Sequence, residues 1–196
     1  MQLGMFTSGS PRFRALSGPR VDLGRGAWIQ RVPGWLDGQV ALFERLRSAT
    51  HWASQQRQMY DRVVDVPRLL GAPPDPPEPL LSEARARLEA HTGWSLERIS
   101  LALYRDGNDS VAWHGDRMGE LRSSCVMAIL SLGAQRRFLL RPSEGGRSVT
   151  LHLNGGDVLV MGGTIHETFE HAVPKESHAD PRIAVMFRPS GRPNPT

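Results

Sequence analysis

The chain has 196 residues, 39% hydrophobic and 22% charged. It is expected to form one globular domain with a substantial core, and no apolar run approaches the roughly 20 residues that cross a membrane. Lysine and arginine exceed aspartate and glutamate by 24 − 20 = 4, a mild positive balance that suits nucleic acid without establishing it. Almost all of that charge is arginine, since Lys175 is the only lysine. Cys125, alone of its kind, excludes an internal disulfide and sits in an apolar run that suits an inert thiol. Met1 to Arg20 lacks the apolar stretch of a secretory signal, so the cytoplasm is the expected compartment.

Residues 1–25, rich in Gly, Ser, Pro and Arg, read as a flexible N-terminal arm. From Trp35 to His51, Leu36, Val40, Phe43 and Leu46 recur at helical spacing. Residues 52–70 fit neither template, and the proline-rich run Gly71 to Pro79 must be an extended connector. A second helix is predicted from Leu80 to about His91, with Leu81, Ala84 and Leu88 on one face and a stop at Thr92-Gly93. Beyond Trp94 short apolar runs alternate with turn residues. Strands are expected over Ile99–Tyr104, Ser123–Leu132, Phe138–Arg141, Val149–Leu153, Asp157–Met161, Phe169–Val173 and Arg182–Arg188. That series implies a β-sandwich or barrel over residues 98–189, preceded by a helical or lid region over 26–97 and followed by a flexible tail over 190–196.

The chemistry concentrates in Ser110-Val111-Ala112-Trp113-His114-Gly115-Asp116. A histidine and a carboxylate two residues apart at the end of a strand point to one side of the backbone and can share one metal ion. A third ligand from a distant strand would complete a 2-His-1-carboxylate triad with open coordination positions, the arrangement of non-haem Fe(II) oxygenases. Among the seven histidines, His51 and His91 fall in helices, His152 points outward from a hairpin strand and His178 lies in a polar loop. His166 and His171 compete for the third position. A metal site needs a rigid presenting element, which favours His171 on its strand and leaves His166 as a loop residue near the entrance.

Arg182 and Arg188 lie an even number of residues apart on the last strand, hence on one face, with Ala184 and Met186 between them. Inside a barrel they would need anions, and a dicarboxylate fits because guanidinium grips carboxylate in a two-bond fork. The competing reading sets one or both at the sheet edge, facing water.

Several stretches together resemble the AlkB-type Fe(II)/2-oxoglutarate dioxygenases, oxidative demethylases of alkylated nucleic acids. They are Tyr104 through Asp116, Leu130-Ser131-Leu132-Gly133-Ala134, Gly156-Asp157-Val158-Leu159-Val160-Met161, His171-Ala172-Val173-Pro174-Lys175 and Arg182 through Arg188. The resemblance implies a mainly β, α+β fold: a double-stranded β-helix (jelly roll) core with N-terminal helices packed on one side. It implies Fe(II) held by His114, Asp116 and His171, and O2 and 2-oxoglutarate as co-substrates. Tyr104 and Arg182 would hold the distal carboxylate of 2-oxoglutarate, and Arg188 the end nearer the metal. It further implies an alkylated DNA or RNA substrate, with monomer as the default state.

The sequence departs from the family in places. Ala102 replaces a common asparagine, and Ala184 and Met186 replace two polar residues of the closing strand, removing hydrogen bonds near the co-substrate. Arg117-Met118-Gly119-Glu120 stands where acidic base-reading residues are frequent. A flipped base needs a face to stack on; Tyr60 or Trp52 could supply one beside Arg117, against the plainer reading of both aromatics as packing residues. Trp113 is expected to point away from the metal. Rival readings keep the oxygenase chemistry but change the substrate to a protein, lipid or metabolite, replace iron by zinc, or retain only nucleic-acid binding.

Overall fold

Period-two alternation along the longer strands sets the architecture of the computed structural model, which describes residues 10–59, 62–116 and 124–190. In chain order the first elements are β1 (Arg12–Phe13), β2 (Arg20–Gly24), β3 (Ala27–Val32), β4 (Leu36–Asp37), α1 (Gln39–Ala49), β5 (Ala53–Met59), β6 (Arg62–Gly71) and α2 (Pro79–Thr92). Then come β7 (Arg98–Tyr104), β8 (Val111–His114), β9 (Met127–Gly133), β10 (Arg136–Pro142), β11 (Val149–Leu153), β12 (Val158–Gly163), α3 (Ile165–Thr168), β13 (Phe169–Val173) and β14 (Arg182–Arg188). An eight-stranded sheet has the order β2-β3-β12-β9-β14-β7-β6-β5, and a four-stranded sheet the order β11-β10-β13-β8.

The two faces of the large sheet bury different partners. Leu101 and Leu103 of β7, Leu130 and Leu132 of β9 and Val185 and Phe187 of β14 join Leu42 and Leu46 of α1 and Leu81 and Leu88 of α2 in one cluster. The alternate residues Ala102 and Tyr104, Met127 and Ile129, and Ala184 turn to the other face. There they meet Phe138, Leu140 and Val173 of the small sheet. Each buried leucine or phenylalanine contributes about 1.5–3 kcal/mol relative to exposure, so a one-residue register slip would exchange the two cores and is strongly disfavoured. This is the jelly roll: two antiparallel sheets around an inner face.

Helix α2 follows its sequence signals. Pro79 opens it, Glu78 caps Leu80 N–H, and Gly93 ends it at φ 73°. Helix α1 is shorter than expected, and its buried face is Leu42, Phe43 and Leu46. Val40 is exposed and Leu36 belongs to β4, because a loop enters the helix at Gly38 in the left-handed conformation.

Two expected boundaries are corrected. Within the expected N-terminal arm, residues 1–9 lie outside the described residues, but β1 pairs with β4 and β2 with β3. The region 26–97 holds helices α1 and α2 but also strands: β3 pairs with β12 and β6 with β7, extending the large sheet at both ends. Backbone hydrogen bonds to neighbouring strands, which local composition does not record, hold these segments in the sheets. Residues 191–196 of the expected tail lie outside the described residues. No helix among the described residues is long and apolar enough to cross a membrane.

Candidate metal centre and arginine slot

Strand pairing brings the first two imidazoles together. His171 of β13 lies directly opposite His114 of β8, and their rings are 4.2 Å apart. Phe138 of β10 stacks on His171 at 5.3 Å. The Nδ1 of His114 lies 2.8 Å from the carbonyl oxygen of Ala112. A carbonyl only accepts, so Nδ1 carries the proton and Nε2 keeps its lone pair free for a metal. Asp116, two residues on, places Oδ2 at 3.9 Å from His171 Nδ1.

Burial sets the protonation states. It pushes His171 down from 6.5 to about 3, outweighing the pull of Asp116 the other way, and it lowers His114 as well. Both rings are therefore neutral near pH 7, as ligands must be. Burial works against ionisation of Asp116, but the hydrogen bond from His166 and the positive charge of Arg188 hold its carboxyl well below the usual range. Arg188 Nη2 reaches Asp116 Oδ1 at 3.2 Å, and its Nη1 donates to Ser100 Oγ at 2.8 Å. Among the described residues, no three His, Cys, Asp or Glu donors already stand as a closed metal-binding group; the two imidazoles and Asp116 adjoin one another instead.

The second half of the site is cut into the middle of the large sheet. Arg182 of β14 pairs with Tyr104 of β7 and with Gly133 of β9, so ladders fix it on both sides. It is about 1% exposed, its Nε donates to Ser131 Oγ at 3.0 Å, and its guanidinium lies 5.3 Å from the Tyr104 ring centre. Burial lowers its pKa from 12.5 to about 10, which leaves it cationic at neutral pH. Among the described residues no carboxylate pairs with it. Arg68 of β6 donates to the Tyr104 hydroxyl at 3.1 Å, and its Nε is buried without a partner. Tyr104, His114, His171, Arg182, Arg188 and Arg68 line one narrow cavity of about 30 Å³, floored by Ala184 and Met186.

A family model described as the 2OG-Fe(II) oxygenase superfamily matches residues 38–192. The chain belongs to that superfamily and is of the AlkB type. It is 32% identical to the alpha-ketoglutarate-dependent dioxygenase alkB homolog 3 of Rattus norvegicus, over 84% of this chain and 66% of the rat protein. The Homo sapiens protein of that name is 31% identical, over 80% of this chain and 64% of its own length. The DNA oxidative demethylase ALKBH2 of Bos taurus is 30% identical, over 59% of this chain and 45% of that protein. The chain thus spans less than two thirds of the length of these relatives. The solved structure of OsALKBH1 superposes with a TM-score of 0.63 at 15% identity, covering 87% of this chain and all of that one, and agrees in fold.

The donor set of this AlkB-type chain suits the ion that names its superfamily. Two neutral imidazoles, one with Nε2 left free by its own backbone bond, and one carboxylate form the set a non-haem Fe(II) site uses. The unpaired buried cation of Arg182 suits a small diacid.

Several residues stand differently from expectation. His166 is no entrance loop residue: it is buried in the single turn α3, with Nδ1 3.3 Å from Asp116 Oδ2. Its turn packs between β12 and β13, a tertiary arrangement that the Gly162-Gly163 signal concealed. Trp52 is away from the cavity; it packs against the outer core, and its indole N–H donates to Arg47 O at 2.9 Å. Tyr60 and Arg117 lie outside the described residues. Trp113 points away from the cavity, its ring 4.2 Å from the Arg141 guanidinium. Arg68 escaped the sequence reading because residues 52–70 show no clear period, although an arginine after Pro67 in a strand was visible. Cys125 is buried, and burial pushes its thiol up to about 11, so it is inert.

Proposed function

We propose that this chain oxidatively removes N-alkyl groups from nucleic-acid bases, in DNA or RNA, using Fe(II), 2-oxoglutarate and O2 and releasing formaldehyde, succinate and CO2. The observation that carries this reading is the meeting, in one cavity, of two neutral imidazoles and a buried arginine with no carboxylate partner among the described residues, with the carboxylate of Asp116 3.9 Å from one of those imidazoles. His114 through Nε2, His171 and Asp116 hold the metal. Arg182 grips the distal carboxylate of 2-oxoglutarate beside Tyr104, and Arg188 steadies the end nearer the metal. When bound, the metal and co-substrate would supply the oxygen activation that hydroxylation of an N-methyl group requires, the hydroxylated product then losing formaldehyde. The residues themselves fix geometry and keep the imidazoles neutral, and Ala184 and Met186 give the arginine-lined slot an apolar stretch of wall.

The relatives named as dioxygenases and as a DNA oxidative demethylase support the nucleic-acid substrate. Tyr60 and Arg117 are the proposed base contacts, and a monomer in the cytoplasm belongs to the same reading. A second reading, the same chemistry on a protein, lipid or metabolite, draws on Arg117-Met118-Gly119-Glu120, where acidic base-readers would be expected. One assay separates them. Purified chain is incubated with Fe(II), 2-oxoglutarate and O2, with and without N-methylated single-stranded oligonucleotides, and succinate and formaldehyde are measured. Formaldehyde that rises with methylated oligonucleotide supports demethylation. Succinate indifferent to it favours the second reading, and no turnover together with no metal binding overturns both.

A further inference from the structure

The carboxylate of Asp116 presents a positioning problem. It follows the last paired residue of β8, so no ladder orients it, and a carboxylate offers about four lone-pair directions of which a metal needs one. Two groups from distant parts of the chain take up two of the others. Arg188 of β14 reaches Oδ1 at 3.2 Å, and His166 of α3 reaches Oδ2 at 3.3 Å. The α3 turn is itself braced: Thr168 Oγ1 donates to Thr164 O, Thr164 Oγ1 to Arg25 O, and Ile165 is buried.

The surroundings of His166 single it out. Its side chain is 2% exposed, and Nε2 is buried with no hydrogen-bond partner among the described residues. A ring so enclosed would be replaced at lower cost by an apolar residue unless its one polar contact mattered. That contact is Asp116. A carboxylate only accepts, so it selects the tautomer with the proton on Nδ1 and leaves Nε2 as a bare lone pair.

We propose that His166 is a positioning residue: its Nδ1–H holds Oδ2 of Asp116 while Arg188 holds Oδ1, so that the carboxylate meets the metal in one orientation. This rests on reading His114, Asp116 and His171 as the ligands. Hydrogen-bond partners of metal ligands commonly tune affinity ten- to a hundredfold, and here the partner acts on the carboxylate rather than on an imidazole.

Two measurements on the full chain test it. The first needs no metal: long-range 1H–15N correlation spectra report the tautomer of each histidine. The expected result is Nδ1–H for His166, with its signals displaced in Asp116→Ala; an Nε2–H tautomer, or no response to Asp116→Ala, overturns the proposal. The second is calorimetric titration with Co(II), with the absorption spectrum of the bound ion recorded. His166→Ala is expected to weaken Co(II) about ten- to a hundredfold. His166→Asn, which returns an amide N–H near the place of Nδ1, is expected to recover most of that loss with the spectrum unchanged. Wild-type affinity in His166→Ala overturns the proposal. So does a His166→Asn variant as weak as His166→Ala with an altered spectrum, since His166 would then be a ligand itself. If the unaltered chain binds no Co(II), the metal reading fails, and the tautomer still decides the contact with Asp116.

Discussion

Arg136 and Arg182 are both about 1% exposed and flank the same ring, with guanidinium carbons 5.4 and 5.3 Å from the centre of Tyr104. Their partners differ. Arg136 donates to three backbone carbonyls, those of Asp106, Asp109 and Pro174, at 2.7–2.9 Å, and so ties the turn after β7 to the segment after β13. Among the described residues Arg182 has no carbonyl or carboxylate partner, only the Ser131 hydroxyl on Nε with Tyr104 beside it, and it lines the cavity that contains His114 and His171. Burial by itself therefore does not mark an arginine as a ligand-binding group. What separates the two is whether the protein has already used the fork.

The contrast breaks most visibly through substitution. Arg182→Met is expected to raise the Kd for 2-oxoglutarate by roughly a hundredfold or more, the loss of a buried charge-assisted pair being worth about 3 kcal/mol. Because the ligand-free arginine is a buried charge with little compensation, the same variant should leave thermal stability unchanged or slightly raised. Calorimetric titration and a thermal melt read both effects. Arg136→Met should do the reverse, losing about 2–4 kcal/mol of unfolding free energy as three carbonyls lose their donor. Urea denaturation would show it, and an Arg136→Met chain as stable as its parent would collapse the distinction.

The metal end responds to pH where the arginine end does not. Above about pH 6.5 His171 is neutral in both folded and unfolded chains. Below 6.5 the unfolded ring takes up a proton that the folded ring, lowered to about 3 by burial, refuses. Stability of the metal-free chain therefore falls as pH falls from 6.5 towards 3, by at most about 1.4 kcal/mol per unit from this group. His114, also lowered, acts in the same direction. Denaturation midpoints across pH 4–7, with His171→Asn showing the shallower slope, would measure this. The smallest expected effect lies between the two ends: Ala184→Asn, on the cavity floor opposite Ala102, should tighten 2-oxoglutarate by about 1 kcal/mol if the amide reaches the ligand, measured in the same titration.

Local patterns were legible wherever the information is itself local. Helix α2 declares its end at Gly93; β7, β9, β12 and β14 show as short apolar runs, and β11 shows alternation. The spacing of His114 and Asp116 announces a shared side of the backbone, and that of Arg182 and Arg188 a shared face. The strands β2, β3, β5 and β6 near the two margins of the large sheet were not legible, because their pairing partners are set by backbone hydrogen bonds that composition does not record.

By itself the sequence determined the β-rich core, the two-residue spacing of the carboxylate and imidazole, and the even spacing of the arginines. These follow from the period of a strand and are fixed before the chain folds. Only the tertiary structure decided that His171 sits opposite His114, that His166 rather than a loop borders Asp116, and that Arg136 is spent on carbonyls while Arg182 is left with its fork open. The histidine and Arg182 arrangements depend on which elements become neighbours across 50 or more residues of chain, the Arg136 contacts across 27 to 38, and such pairing is selected by the summed burial of two whole cores rather than by any single residue.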